Sequence, residues 1–109
     1  MSGDYILKRS GEQFVFNLRS GNHQVILTSQ RYASKASAQQ GIESVRKNAA
    51  DDARYRRLTA KDGSSYFNLT AANGEIIGSS EMYTTAAARD KGIDSVKANG
   101  PDGVVKDEA

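Results

Sequence analysis

The 109-residue chain contains no cysteine. That excludes disulfides, thiol catalysis and any zinc or iron–sulfur site built on thiolates. Its one histidine, His23, has no second imidazole or thiol with which to build a triad or a zinc site. No stretch approaches the roughly 18 apolar residues of a membrane span. The opening MSGDYILKRS lacks a hydrophobic signal core and passes at once into a strand-like pattern, so the expected compartment is a reducing cytoplasm. Glycine-rich phosphate loops, dinucleotide fingerprints and calcium-loop spacings are also missing. Charge of one sign is not in excess: the net charge is +2. It is unevenly divided, with seven Lys/Arg against three Asp/Glu in residues 1–50 and eight against ten in residues 51–109. A basic half attracts polyanions, whereas the same charge scattered over a surface only keeps the protein in solution.

What the chain does contain, it contains twice. FNLTAANGEIIGSSEMYTTAAARDKGIDSVKAN runs from Phe67 to Asn99, and an ungapped earlier copy runs from Phe16 to Asn48. Phe16-Asn17-Leu18 falls on Phe67-Asn68-Leu69, Ser29 on Ser80, Tyr32 on Tyr83, Gly41-Ile42 on Gly92-Ile93 and Asn48 on Asn99. An echo of this kind marks one folding unit used twice. Each unit of about 50 residues is marginal without a partner surface. Two copies are too few for a stacked solenoid. Two units closing on each other, as in a two-fold dimer, is the geometry that remains. The expected repeats are residues 1–50 and 51–109, together one compact domain.

Within the first copy, Tyr5–Arg9 is a short β-type run ended by Ser10-Gly11. Phe14, Phe16 and Leu18 alternate with Val15, Asn17 and Arg19, the period of a half-buried strand. Gln24–Ser29 supplies a third strand, completing an antiparallel meander. A helix opens at Ser34, whose hydroxyl suits an N-cap, and Ala38, Gly41, Ile42, Val45 and Ala49 recur on one face. Gly41 costs about 1 kcal/mol in a helix interior relative to Ala, so its place on the apolar face predicts close approach of the helix backbone to the sheet. The second copy repeats the plan: Ala53–Thr59, Tyr66–Leu69 and Glu75–Ile77 read as strands, with Asn73-Gly74 as a type I′ hairpin turn. A helix then runs from Thr84 or Thr85 to an αL stop at Asn99-Gly100-Pro101. Val104–Lys106 can add one more short strand. Two amphipathic helices for one set of strands place both helices on one face of a shared sheet and leave the other face open.

The doubled pattern F-N-L-x(4)-N-x(3)-I-x-x-S-x-x-Y-x(8)-G-I-x-S-V-x-x-N resembles the YegP-like family of small bacterial proteins, from Tyr5 to Lys106. The resemblance implies an α+β fold of tandem β3-α-β units that share a sheet and exchange their C-terminal strands. It also implies a monomer that mimics a dimer of single repeats. It carries over no activity, no cofactor and no catalytic residue.

The candidate contact residues come from the strands. Asn17 and Asn68 share a strand face, flanked by Arg19 in one copy and Tyr66 in the other. Polar and aromatic strand residues beside arginine suit the stacking of single-stranded bases, although no full RNA-binding strand motif is present. Arg54-Tyr55-Arg56-Arg57 is the densest basic cluster, split by strand alternation into Arg54 with Arg56 and Tyr55 with Arg57. Lys8 and Arg9 complete the basic set. Three other features have structural readings: His23 as a solvated turn residue, Glu43 and Asp94 as surface carboxylates paired along a helix, and the S-x-x-Y echo as a tyrosine packed under the helix rather than an anion site. The function these residues support is a non-enzymatic binding or interaction module working through the open sheet face or the seam between copies. Weak nucleic-acid binding through Arg19, Arg54, Arg56, Arg57, Lys8 and Arg9 is the alternative, and an enzyme with a pocket at the seam is the third reading.

Overall fold

The computed structural model describes residues 3–109. The local structure starts from the turns. Three of the four hairpin-type connections use the same three-residue loop: Gly21-Asn22-His23, Lys61-Asp62-Gly63 and Ala72-Asn73-Gly74. In each, the third residue has positive φ: 67° at His23, 87° at Gly63 and 88° at Gly74. In each, the side chain of Asn22, Asp62 or Asn73 accepts a hydrogen bond from the backbone N–H two residues on, at 3.3, 2.9 and 3.0 Å. Asn73-Gly74 is therefore not the two-residue type I′ turn that the dipeptide suggested. Only Gly74 of the pair has positive φ, because the loop is one residue longer and needs a single left-handed position.

These turns, with a two-residue one at Gly11-Glu12 between the first two strands, join β1 (Asp4–Ser10), β2 (Gln13–Arg19) and β3 (Val25–Ser29) in the first repeat, and β4 (Tyr55–Thr59), β5 (Ser65–Thr70) and β6 (Ile76–Ser79) in the second. Helices α1 (Lys35–Asn48) and α2 (Ala86–Asn99) follow. Ser34 and Thr85 cap them, each with its hydroxyl accepting from the N–H three residues on. Before β4 the chain makes a 3-10 turn at Asp52–Arg54 capped by Asp51, so Ala53 and Arg54 lie outside the strand in which the sequence pattern placed them. The last strand is β7 (Val104–Asp107).

All seven strands form one sheet in the order β4-β5-β6-β3-β2-β1-β7. The repeats meet at its centre, where Thr28 faces Ser79 and Ser29 faces Gly78. Five of the six pairings are antiparallel. The sixth, β7 on β1, is parallel, since α2 brings the chain back across the sheet before its final strand. The C-terminal strand of the second repeat thus completes the first. The corresponding segment after α1 is consumed by the covalent link into β4 and forms the 3-10 turn instead.

One core lies between the sheet and both helices. Tyr5, Leu7, Phe16, Leu18, Leu27, Phe67 and Leu69 from the strands pack on Ile42, Val45, Ile93 and Val96 from the helices. Gly41 and Gly92 face Tyr32 and Tyr83 so closely that a Cβ at either position would collide with the tyrosine ring. Each tyrosine is pinned by its backbone, Tyr32 to Phe14 at 2.7 and 2.8 Å and Tyr83 to Ser65 at 2.8 Å. The serine of the same motif accepts from a strand N–H, Ser29 from Phe16 and Ser80 from Phe67, each at 2.9 Å. The S-x-x-Y echo is accordingly a packing device under the helix. The helix ends are tied to the sheet by two buried phenols: Tyr5 donates to the Gly100 carbonyl and Tyr55 to that of Ala49, both at 2.6 Å. Gly100 is right-handed, with φ −67°. Glycine is required there for space, because a Cβ would lie 2.8 Å from that of Ala49.

Candidate functional site

The face opposite the helices is built by strand alternation. Phe16 and Leu18 point into the core, so Asn17 points away, and the register extends its position across the whole sheet. Arg56 faces Asn68, Asn68 faces Ser79, Ser79 faces Thr28, Thr28 faces Asn17, Asn17 faces Ile6 and Ile6 faces Lys106. With strands about 4.8 Å apart, this row is on the order of 29 Å long. The pseudo-two-fold passes between Thr28 and Ser79. On one side Asn17 Nδ2 donates to Thr28 Oγ1 at 2.9 Å; on the other Ser79 Oγ donates to Asn68 Oδ1 at 2.7 Å. Each asparagine thereby keeps a different group for a partner, the Asn17 carbonyl oxygen and the Asn68 amide N–H. In the flanking rows Lys8 faces Val15 and Leu58 faces Tyr66.

The basic residues are dispersed by this architecture. Arg19 faces Asp4 on the open side and holds it with two bonds, Nε at 2.8 Å and Nη2 at 2.9 Å. Lys106 reaches the same carboxylate at 3.0 Å. The hydrogen-bonded Arg19 guanidinium, aided by Lys106, holds the Asp4 carboxyl far below its ordinary 3.8 against the opposing effect of burial. Arg54 turns back to α1, with Nε 3.2 Å from Asn48 Oδ1 and Nη2 3.6 Å from Asp51. Arg57 lies on the helix side, bonded to Asp52 at 3.1 Å and Asp90 at 3.4 Å. Arg9 also faces the helix side, its guanidinium 5.1 Å from the centre of the Phe14 ring. Of the basic residues singled out from the sequence, the structure brings Lys8, Arg19 and Arg56 to the open face. Among the described residues Lys8 and Arg56 have no ion-pair partner there. Asn17, Asn68 and Tyr66 do share that face. Thr28, Ser79, Asp4 and Lys106 were missed by the sequence reading. The matched hydroxyls at 28 and 79 were a signal for two of them; Asp4 and Lys106 carried none, because their meeting depends on the parallel pairing of β7.

A concavity of about 430 Å³ lies at the seam, between the β2–β3 turn and α2, lined by Asn22, Gln24, Ile26, Tyr83, Lys91 and Ser95 among others. Its titratable side chains are Lys91 and Tyr83, with no carboxylate or histidine in the lining. Among the described residues no group of three or more His, Asp or Glu could hold a metal ion, and no helix is long and apolar enough to cross a membrane. His23 sits in its turn with no such cluster around it.

The fold and its duplication are shared with other bacterial proteins. The domain of unknown function DUF1508 matches this chain twice, at residues 10–55 and 60–107. A UPF0339 protein of Bordetella pertussis is 67% identical over 108 residues, which cover 99% of this chain and 97% of the relative. The UPF0339 protein YegP of Escherichia coli K12 is 54% identical over 98% of both chains. Among solved structures, the solution NMR structure of E. coli YegP superposes with a TM-score of 0.93 at 53% identity, covering 99% of this chain and 94% of that one. A UPF0339 protein of Shewanella oneidensis superposes with a TM-score of 0.92 at 52% identity, covering 98% and 92%. The chain is a tandem-repeat member of the YegP-like UPF0339 family, built from two DUF1508 units.

Proposed function

We propose that this protein is a non-enzymatic binding module, monomeric and pseudo-dimeric, whose working surface is the open face of the sheet. The observation that carries the reading is the row Asn68–Ser79–Thr28–Asn17, four hydrogen-bonding side chains in register across the join between repeats, on a face no helix covers. An extended partner lying along the row would meet the groups these pairs leave over, the Asn17 carbonyl oxygen and the Asn68 amide, on either side of the join. The test is photo-crosslinking in the parent bacterium with a benzophenone amino acid at Thr28, compared with one at Lys47 on α1. The reading expects a discrete adduct from position 28 that disappears when Asn17 and Asn68 become Ala. Equal adducts from both positions, or none from position 28, would remove it.

Nucleic acid is the second reading, favoured by Lys8 and Arg56, which among the described residues have no ion-pair partner, standing on the same face as Tyr66. Binding to a mixed single-stranded oligonucleotide should then weaken steeply with salt as condensed ions return to the phosphates, and should fall in Lys8→Ala and Arg56→Ala. Absence of binding at low salt would discard it.

A further inference from the structure

The two ends of the sheet are related by the pseudo-two-fold, but only one is complete. At the first repeat's end, β7 adds in parallel to β1, placing Val104 beside Asp4, Val105 beside Tyr5, Lys106 beside Ile6 and Asp107 beside Leu7. Backbone bonds from Val104 N–H to the Gly3 carbonyl and from Glu108 N–H to that of Leu7 extend the ladder to 3.2 and 2.7 Å contacts beyond those pairs. At the other end, β4 is the last strand of the sheet. It stands where β1 stands: Tyr55 faces Leu69 as Tyr5 faces Leu18, and both tyrosines cap the end of a helix. The strand that symmetry would add to β4 is missing because residues 50–54 are spent on the connection from α1. Among the described residues the outer backbone groups of β4 have no strand partner, a template for strand addition.

We infer that the β4 edge is a docking site for an extended acidic segment of another protein, added parallel to Tyr55–Thr59 in the place that β7 takes on β1. The charge pattern selects the occupant. Where β1 presents Ile6 and Leu7 to β7, β4 presents Arg56 and Arg57. Arg56 is exposed and unpaired among the described residues, so a carboxylate opposite it meets an uncompensated cation. Opposite Tyr55, the β7 precedent calls for an aliphatic residue, as Val105 is. Arg56 disfavours the β4 edge of a second copy in the registers that set it beside its own duplicate. Arg56 also stands on the open face, so protection of the β4 amides is the readout that separates edge binding from binding to that face.

The chain's own tail supplies the probe. A fluorescein-labelled peptide carrying Gly-Val-Val-Glu-Asp-Glu, which is residues 103–108 with glutamate in place of Lys106, should bind the full-length protein about tenfold more tightly than the Gly-Val-Val-Lys-Asp-Glu original. In the Arg56→Glu variant the preference should reverse. Amide hydrogen exchange on β4 should slow on peptide addition while exchange on β7 stays unchanged, which separates edge binding from displacement of β7. Equal affinity of the two peptides, a preference that survives Arg56→Glu, or protection confined to other strands would overturn the proposal. So would concentration-dependent dimerisation through β4 in sedimentation, since it would show that the edge takes a second copy.

Discussion

The first and second repeats agree at most positions where they bury side chains and disagree where they meet solvent. Tyr5 and Tyr55 make the same edge-to-face contact with Phe16 and Phe67, at 5.9 and 5.7 Å and interplanar angles of 66° and 65°. The Gly–Tyr contacts, the serine bonds to strand N–H groups and the asparagines near the helix ends are all present twice. Outside the core the correspondence fails. Ile6, Arg19 and His23 in the first repeat stand where the second has Arg56, Thr70 and Gly74, and a core position that breaks the rule is Leu7, fully buried, which Arg57 replaces. A buried contact constrains both repeats in the same way, since close packing tolerates little change in volume. A surface position has no such partner, and the two ends of the sheet have drifted to different charges.

The equivalence of the cores is tested first by its largest effect. Phe16→Ala and Phe67→Ala each remove a fully buried ring and should each cost about 3–5 kcal/mol in chemical denaturation. Values that differ by more than half would mean that one repeat dominates the core. Gly41→Ala and Gly92→Ala should follow at about 1–3 kcal/mol, the usual cost of overpacking, despite the gain in helix propensity. Gly41→Ala should be the worse of the two, because Phe16 stacks on Tyr32 at 6.2 Å and closes the space into which that tyrosine would move.

The divergence of the ends is tested by pH. Asp4 is depressed when folded, so its contribution is complete above its ordinary 3.8 and is lost as pH falls from there through the lower folded value. The acid limb of a stability-against-pH curve should therefore flatten below about pH 4 in Asp4→Asn. The second repeat has Arg54 at the equivalent place, turned toward Asn48, so Arg54→Gln should leave the shape of that limb unchanged. A limb unaltered by Asp4→Asn would show that the Arg19–Asp4–Lys106 cluster contributes nothing to folding. The smallest expected effect is a gain. His23 holds a left-handed position that glycine fills at 63 and 74, and His23→Gly should raise stability by about 1 kcal/mol, read as a rise in midpoint. A loss would mean that the imidazole makes a contact of its own.

Most of the fold was legible because it depends on periodicity that local sequence records. The duplication, the Ser34 N-cap, the buried helix faces and the alternation that separates Phe16 from Asn17 all follow from spacing and residue type, while the second cap was narrowed only to Thr84 or Thr85. The close approach at Gly41 was legible too, since glycine on an apolar helix face has few other uses. The Asn73-Gly74 turn was misread, because a dipeptide signal does not report the loop length that sets the turn type. The basic cluster at 54–57 was legible only as composition. Adjacent arginines in sequence are sent to a 3-10 turn, the open face and the helix side.

By itself, then, the sequence determined that one β-β-β-α unit occurs twice, that its helices share one face of a sheet, and that the chain carries no thiol or histidine pair for chemistry. Tertiary structure alone decided which repeat receives β7, which carboxylate neutralises which cation, and that four polar side chains from four strands stand in one row. Those outcomes rest on pairings between residues up to about a hundred positions apart, Asp4 with Val104 among them. Strand order and register are set by the closure of the whole sheet, and no local run of residues encodes them.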